Sequence, residues 1–298
     1  MVEIDKQIYI LKFLISAMPE FIKLKEADRI RLFNAVKDKS KLMWKDLAIN
    51  LSIGKSMLSK YFTGKCDIPL GIYAKLEKIG GIQIEKKETV MKYSYKEKEL
   101  KKPTMGSKLA EVLGVLNGDG HLAPLKYEAC VVGSILEQDY YRHLKELFEE
   151  VFNLEFKVFA VSETVVKLRC YSKNLVEFLH ADYKLPKGNK IGKLRIPKQV
   201  YIKKVWLKNY IRGLFDTDGC IFIRRGKDIA INIASADARF LSEIKRAMES
   251  LNLKASIFQE HMYIYKKDHV KRFFEIIQPA NSKHLKRYEI FKKQASIA

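Results

Sequence analysis

Apolar residues in the last two-thirds of this chain alternate between a helical spacing and a period of two. Two segments, Leu113-Gly114-Val115-Leu116-Asn117-Gly118-Asp119-Gly120 and Ile211-Arg212-Gly213-Leu214-Phe215-Asp216-Thr217-Asp218-Gly219, are apolar helical stretches with an internal glycine, each closing on Asp-Gly. After the first, Tyr127 to Val132 has strand character, and Asp139 to Phe152 reads as a helix with Leu144, Leu147 and Val151 on one face. Strands follow at 155–160 and 165–171, then a helix from Asn174 to His180. After the second segment the order recurs. Cys220 to Arg225 and Ile229 to Ala234 form a hairpin about Gly226-Lys227-Asp228, with Ile229, Ile231 and Ile233 alternating. A helix over 238–251, strands over 254–259 and 261–265, and a helix over 269–277 complete it. Each half is α-β-β-α-β-β-α, which implies antiparallel sheets with helices on one face and the other face open to a partner.

The N-terminal third has no such repeat. Residues 1–43 read as one or two helices, with Ile8, Leu11, Ile15, Ile30 and Phe33 apolar. Residues 44–80 have the layout of a helix-turn-helix. Trp44 to Leu51 turns Leu47, Ala48 and Leu51 inward, Ser52-Ile53-Gly54 is the turn, and Gly54 is assigned the positive φ that such a turn needs. Lys55 to Phe62 is then the second helix, with Met57, Leu58 and Tyr61 inward and Lys55, Ser56, Ser59 and Lys60 outward for a DNA groove. The following Thr63-Gly64-Lys65, Pro69, Leu76 and Ile79 resemble the helices after the reader helix in phage-repressor-type domains. A purely structural helical module is the other reading. Between Glu85 and Lys108, eight lysines face four glutamates with few aliphatics, which reads as a basic linker, either tracking phosphates or a solvated tether. The divisions are 1–83 helical, 84–104 linker, 105–200 first repeat and 201–298 second repeat.

The two Asp-Gly endings, 99 residues apart, carry the chemistry. A carboxylate at a helix C-terminus faces the negative pole of the macrodipole. Two brought together repel further, unless a cation intervenes. Mg²⁺ suits sites with one or two carboxylates completed by water and phosphate oxygens. The segments resemble the two LAGLIDADG motifs of single-chain, dodecapeptide-type homing endonucleases, over roughly residues 105–298. The copy at 210–221 is close; the first departs at Asn117, where the family often has Asp. The resemblance implies Asp119 and Asp218 as metal ligands for Mg²⁺ or Mn²⁺, and a saddle of antiparallel sheets lying on double-stranded DNA. Gly114, Gly118 and Gly213 would let the two motif helices approach closely.

Charge supports a nucleic-acid partner. Lys and Arg total 56 against 35 Asp and Glu, a net +21. A heat-adapted ion-pair surface would be nearly balanced. Cys66, Cys130, Cys170 and Cys220 form no C-x-x-C pair, so neither zinc nor a disulfide framework is indicated and a reducing, cytoplasmic compartment is expected. The apolar run Ile8 to Met18 is short and interrupted by Lys12, so no membrane span or signal peptide is expected.

Further site candidates come from aligning the halves. Lys190-Ile191-Gly192-Lys193-Leu194-Arg195 lines up with Lys283-His284-Leu285-Lys286-Arg287, so Lys193 and Lys286 occupy equivalent places and are the candidate cations for the transition state. Lys193-Leu194-Arg195-Ile196-Pro197 resembles intein-type members with an active-site lysine before Ile-Pro, one residue out of register, which makes Arg195 a rival. Lys126, Arg169, Arg195, Arg224 and Arg225 are the candidate DNA contacts of the repeats. Ser134-Ile135-Leu136 and Ser235-Ala236-Asp237 stand where family nucleases often place Gln or Lys near water, and Ile135, Leu136 and Ala236 are apolar. The reading is a monomeric, metal-dependent, site-specific double-strand DNA endonuclease. The alternatives are a non-cleaving DNA-binding regulator on the same scaffold and an intron-RNA maturase. The residues at the two ends do not suggest protein splicing.

Overall fold

The computed structural model describes residues 20–85, 87–91, 99–224 and 228–297. It divides into two compact units, Met1–Lys102 and Pro103–Ala298. The expectations for Ile8, Leu11 and Ile15, and for the turn residues Gly226 and Lys227, lie outside the described residues.

The first unit contains β1 (Glu20–Lys23), α1 (Glu26–Ser40), α2 (Trp44–Asn50), α3 (Lys55–Phe62), β2 (Ile68–Pro69), α4 (Leu70–Gly80), β3 (Glu88–Met91) and β4 (Leu100–Lys101). It is therefore not all-α. Its four short strands form one sheet in the order β2-β1-β3-β4, with Glu20 paired to Met91 and Phe21 to Pro69. These strands have two to four residues and partners far away in sequence, so none shows a usable period of two. For the same reason the basic linker is corrected: Glu88–Met91 and Leu100–Lys101 are ladder strands that bury Val90 and Leu100. Leu47, Ala48, Leu51, Leu58 and Tyr61 join Phe33 and Tyr73 in one core, which explains the apolar spacing of α2 and α3. The turn between them differs from expectation. Ser52 takes the left-handed conformation (φ 59°), and Gly54, at φ −71°, precedes α3 in extended backbone. A left-handed residue just past a helix end satisfies its last carbonyls, which places that conformation at Ser52.

The second unit is mixed α+β with antiparallel sheets. Its first half is α5 (Ser107–Asn117), β5 (Gly120–Ala123), β6 (Glu128–Ser134), α6 (Gln138–Phe152), β7 (Lys157–Ala160), β8 (Val165–Tyr171) and α7 (Lys173–Tyr183). Its second is α8 (Lys204–Asp218), β9 (Gly219–Arg224), β10 (Asp228–Ala234), α9 (Ala238–Ser250), β11 (Ser256–Phe258), β12 (His261–Ile264) and α10 (Lys267–Ile277). The sheets, β5-β6-β8-β7 and β9-β10-β12-β11, have the same order. Ile229, Ile231 and Ile233 are buried against the helices, as their alternation predicts. A further helix, α11 (Ser282–Ile297), follows. Residues 283–287 lie on it, whereas the aligned 190–195 are turn and coil, so the two post-helix segments are not alike in conformation.

Candidate functional site

The motif helices α5 and α8 pack directly on each other, and their glycines are the reason. An ideal Cβ on Gly114 would lie 2.0 Å from Tyr210 O, and one on Gly213 would lie 2.2 Å from Glu111 O. No side chain fits there, so the backbones touch. Farther along, an ideal Cβ on Gly118 would lie 3.4 Å from Asp218 Oδ2, so the second aspartate sits against the residue preceding the first. This contact brings the two Asp-Gly ends together.

Burial and neighbouring charges set the ionisation of this end. Asp218 is pushed up to about 7, mainly by burial and then by the charge of Asp119, with Lys190 and Lys283 opposing. Asp119 is also raised, by burial, with Lys283 and Lys190 opposing and Glu137 adding to the rise. Burial lowers Lys190, and the two aspartates pull it back. The cations at the site are thus Lys190 and Lys283. Lys193 and Lys286 are exposed, and neither is among the groups that shift either aspartate. The repeat alignment also pairs Lys190 with Lys283, three residues before Lys193 and Lys286, and it is this earlier pair that lies by the aspartates. Lys190 Nζ donates to the carbonyls of Asn117 (3.2 Å) and Gly118, and so is anchored at the C-terminus of α5. Lys283 Nζ pairs with Glu137 Oε1 at 2.9 Å.

Two residues two positions before the aspartates fix the site from behind. Asp216, fully buried, accepts from Ala280 N (2.8 Å) and Asn281 N (3.1 Å). Burial pushes its carboxyl up to about 7 despite those amides, with Glu111 adding and Arg212 opposing. Asn117 donates to Arg195 O (2.9 Å) and Tyr210 Oη (2.7 Å). An acceptor meets N–H groups in one half, and a donor meets a carbonyl and a hydroxyl in the other. Asn117 and Asp216 thus play opposite hydrogen-bonding roles at matching positions of the two motifs. Both tie a motif helix to the segment bearing a site lysine.

Arg195 faces carboxylates of the second half rather than the two aspartates. Its guanidinium lies 3.4 Å from Asp237 Oδ2 and 3.8 Å from Glu243 Oε1. Of the other DNA-contact candidates, Lys126 is exposed in the turn between β5 and β6. Arg169 lies over the Phe159 ring (4.3 Å) and the Tyr171 ring (5.1 Å), and Arg224 over Tyr265 (4.8 Å) while pairing with Asp228 (3.5 Å). Arg225 lies outside the described residues. Lys55, Ser56, Ser59 and Lys60 are all exposed on α3, in the other unit.

The donor set suits a hard divalent cation. Asp119 and Asp218 offer oxygen ligands that are half-buried yet reachable; burial disfavours the charged form of each, and the charge of Asp119 adds to this at Asp218, which a cation would offset. No cluster of three or more His, Cys, Asp or Glu suited to a metal occurs among the described residues, so the remaining ligands would be water and phosphate.

Residues 206–278 match the model of the LAGLIDADG-like domain, so the chain carries such a domain in its second half. A 90-residue stretch is 32% identical to a DNA polymerase of Thermococcus litoralis, covering 30% of this chain and 5% of the polymerase. Among solved structures, the meganuclease I-AabMI bound to uncleaved DNA is similar over 65% of this chain and 91% of its own, at TM-score 0.45 and 10% identity. The homing endonuclease I-DmoI in complex with DNA and Ca matches over 57% and 88%, at 0.41 and 16%. The N-terminal LAGLIDADG domain of DUF199/WhiA matches over 57% and 82%, at 0.43 and 15%.

Proposed function

We propose that this protein is a site-specific double-stranded DNA endonuclease of the homing-endonuclease type that hydrolyses phosphodiesters with a divalent metal, Mg²⁺ or Mn²⁺. One observation carries the reading: two half-buried aspartates and two anchored lysines converge where glycine-packed helices of equivalent halves end. Asp119 and Asp218 would hold the metal. When bound, that ion supplies Lewis-acid stabilisation of charge on the phosphate oxygens. Lys190 and Lys283 are held by the α5 carbonyls and by Glu137, so their charges face a phosphate without reorganising. The open sheet faces would lie on the duplex as a monomer with internal twofold symmetry, and Lys55, Ser56, Ser59 and Lys60 of α3 would add a second docking point. Among the described residues no helix is long and apolar enough to cross a membrane.

A second reading, a non-cleaving DNA-binding regulator, draws on Leu136. It is 91% exposed, and with Ile135 and Ala236 it is an apolar residue at a position where the family resemblance implies Gln or Lys. Cleavage of a randomised duplex library in Mg²⁺ or Mn²⁺ separates the two. The expected result is cutting at a defined site. Asp119→Asn or Asp218→Asn should abolish it without loss of metal-free binding. Lys190→Met and Lys283→Met should slow it, while Lys193→Ala and Lys286→Ala should have much smaller effects. Site-specific binding without cutting in either metal would establish the regulator instead.

A further inference from the structure

The two halves differ by one cation beside the aspartates. Lys190 and Lys193 line up with Lys283 and Lys286, and the next position is Leu194 in the first half and Arg287 in the second. Leu194 is buried, and its N–H donates to Asp237 Oδ2 at 3.2 Å, so that place faces inward. Arg287 is exposed on α11, a helix for which the coil and turn of residues 190–195 are no counterpart.

The Arg287 guanidinium reaches the open face of the second sheet. Cys220, Phe222 and Arg224 lie on one side of β9 and buried Ile221 on the other. Phe222 meets the Tyr263 ring at 6.3 Å, and Arg224 lies over Tyr265 at 4.8 Å, which marks their side as the open one. Arg287 Nη1 donates to Cys220 Sγ at 3.6 Å, so its charge is on that side too. Cys220 is two residues past Asp218, roughly 7 Å along an extended chain. Arg287 is not among the charges that shift Asp119 or Asp218, so it stands beside the metal pair rather than over it.

Its surroundings leave this charge without an opposite partner. Arg169, Arg195, Arg212 and Arg224 each face a carboxylate. Among the described residues no carboxylate pairs with Arg287, and the thiol it meets is a weak acceptor. Its stem borders an apolar groove of about 250 Å³ with Ile221, Ile223, Ile290 and Phe291, which holds the aliphatic part and leaves the head in water. A guanidinium held this way presents a donor fork that matches phosphate oxygens. Phosphates follow one another every ~3.4 Å of helix axis along a strand, so this fork is within a phosphate or two of the aspartates.

We propose that Arg287 grips a backbone phosphate neighbouring the one at the aspartates, on one DNA strand only, because the first half has buried Leu194 in the equivalent place. This rests on the DNA reading above. It makes the hold on the two strands unequal.

The test uses the full chain and the duplex selected from the randomised library, with binding read by fluorescence anisotropy in metal-free buffer. Uncharged methylphosphonates replace single phosphates through the centre of the site, on each strand in turn. The wild type should lose affinity when the phosphate held by Arg287 is neutralised. In Arg287→Met that one position, on one strand, should no longer matter, while the others behave as in the wild type. Arg287→Met should also lose about 3- to 4-fold less affinity than the wild type between ~50 and ~200 mM salt, the share of one phosphate at a slope of ~0.9. Arg287→Lys should keep the wild-type slope. Lys271→Met on α10 removes an equal charge from the helix side of the sheet and should leave both readouts unchanged. Both residues are exposed, so each variant should melt with the wild type. If the Arg287→Met profile matches the wild-type profile on both strands, the proposal is overturned and the DNA reading stands. Positions lost on both strands alike would also refute it, since the grip would not be one-sided. If no duplex of the library is bound, both fall.

Discussion

Replacing Gly114 by alanine sets two physical effects against each other, and the structure determines the sign. In an exposed helix interior, Gly→Ala stabilises by about 1 kcal/mol, because alanine gives up less backbone freedom on folding. Here the added Cβ would lie 2.0 Å from Tyr210 O and 2.9 Å from Leu214 N, where contacts under 3.0 Å are essentially never seen. Both neighbours are backbone of α8, so no side-chain rotation relieves the clash, and the helices must part by about 1 Å. Overpacking of this kind costs ~1–3 kcal/mol when side chains can adjust. With backbone on both sides the upper figure applies, leaving a net loss of about 2 kcal/mol after the propensity gain. For a unit of this size that lowers Tm by about 4–8 °C. Gly213→Ala, whose Cβ would meet Glu111 O at 2.2 Å, should behave alike. The control is Gly71→Ala on α4, where nothing lies within 4 Å, and which should hold or raise stability by up to ~1 kcal/mol. Calorimetry or circular-dichroism melting of the full chain reads all three. If Gly114→Ala or Gly213→Ala melts at or above the wild-type temperature, the close helix contact, and with it the juxtaposition of the aspartates, is wrong.

Two further outcomes test the charges behind and at the site. The Asp218 carboxyl is held near 7 in the fold against 3.8 in the unfolded chain. Between these values the folded state binds the extra proton, so metal-free stability should fall as pH rises from about 4 to about 7 and level off above. Asp218→Asn should flatten part of that decline in urea melts taken across the range, and an unchanged slope would refute the shift. Glu111 is buried, accepting from Arg212 Nη1 at 3.3 Å and lying 3.1 Å from His143 Nε2. Arg212→Met should therefore destabilise by ~3–5 kcal/mol, and adding Glu111→Leu should recover much of the loss. A double variant no more stable than Arg212→Met alone would show that the pair does not set that cost.

The element order of the second unit could be read from the sequence because local rules determine it. Period-two isoleucines at 229, 231 and 233, the one-sided apolar face of 139–152 and the repeated Asp-Gly endings each act within a dozen residues. The same is true of α2 and α3, whose inward residues are the buried ones. Tertiary structure decided the rest. The first unit's sheet joins segments such as Glu20 and Met91 that pair only when the chain closes on itself. Which lysine serves the aspartates depends on how each post-helix segment is anchored. Alignment offers Lys190 with Lys283 and Lys193 with Lys286 alike, and only the carbonyls of α5 and the carboxylate of Glu137 select the first pair. Arg195 looked available in sequence, yet Asp237 and Glu243 hold it. Arg287 and Leu194 share one aligned place, and only the packing of α11 along β9 brings the first to the open face. Local periodicity specifies which residues turn inward, but which charges meet depends on contacts between residues remote along the chain.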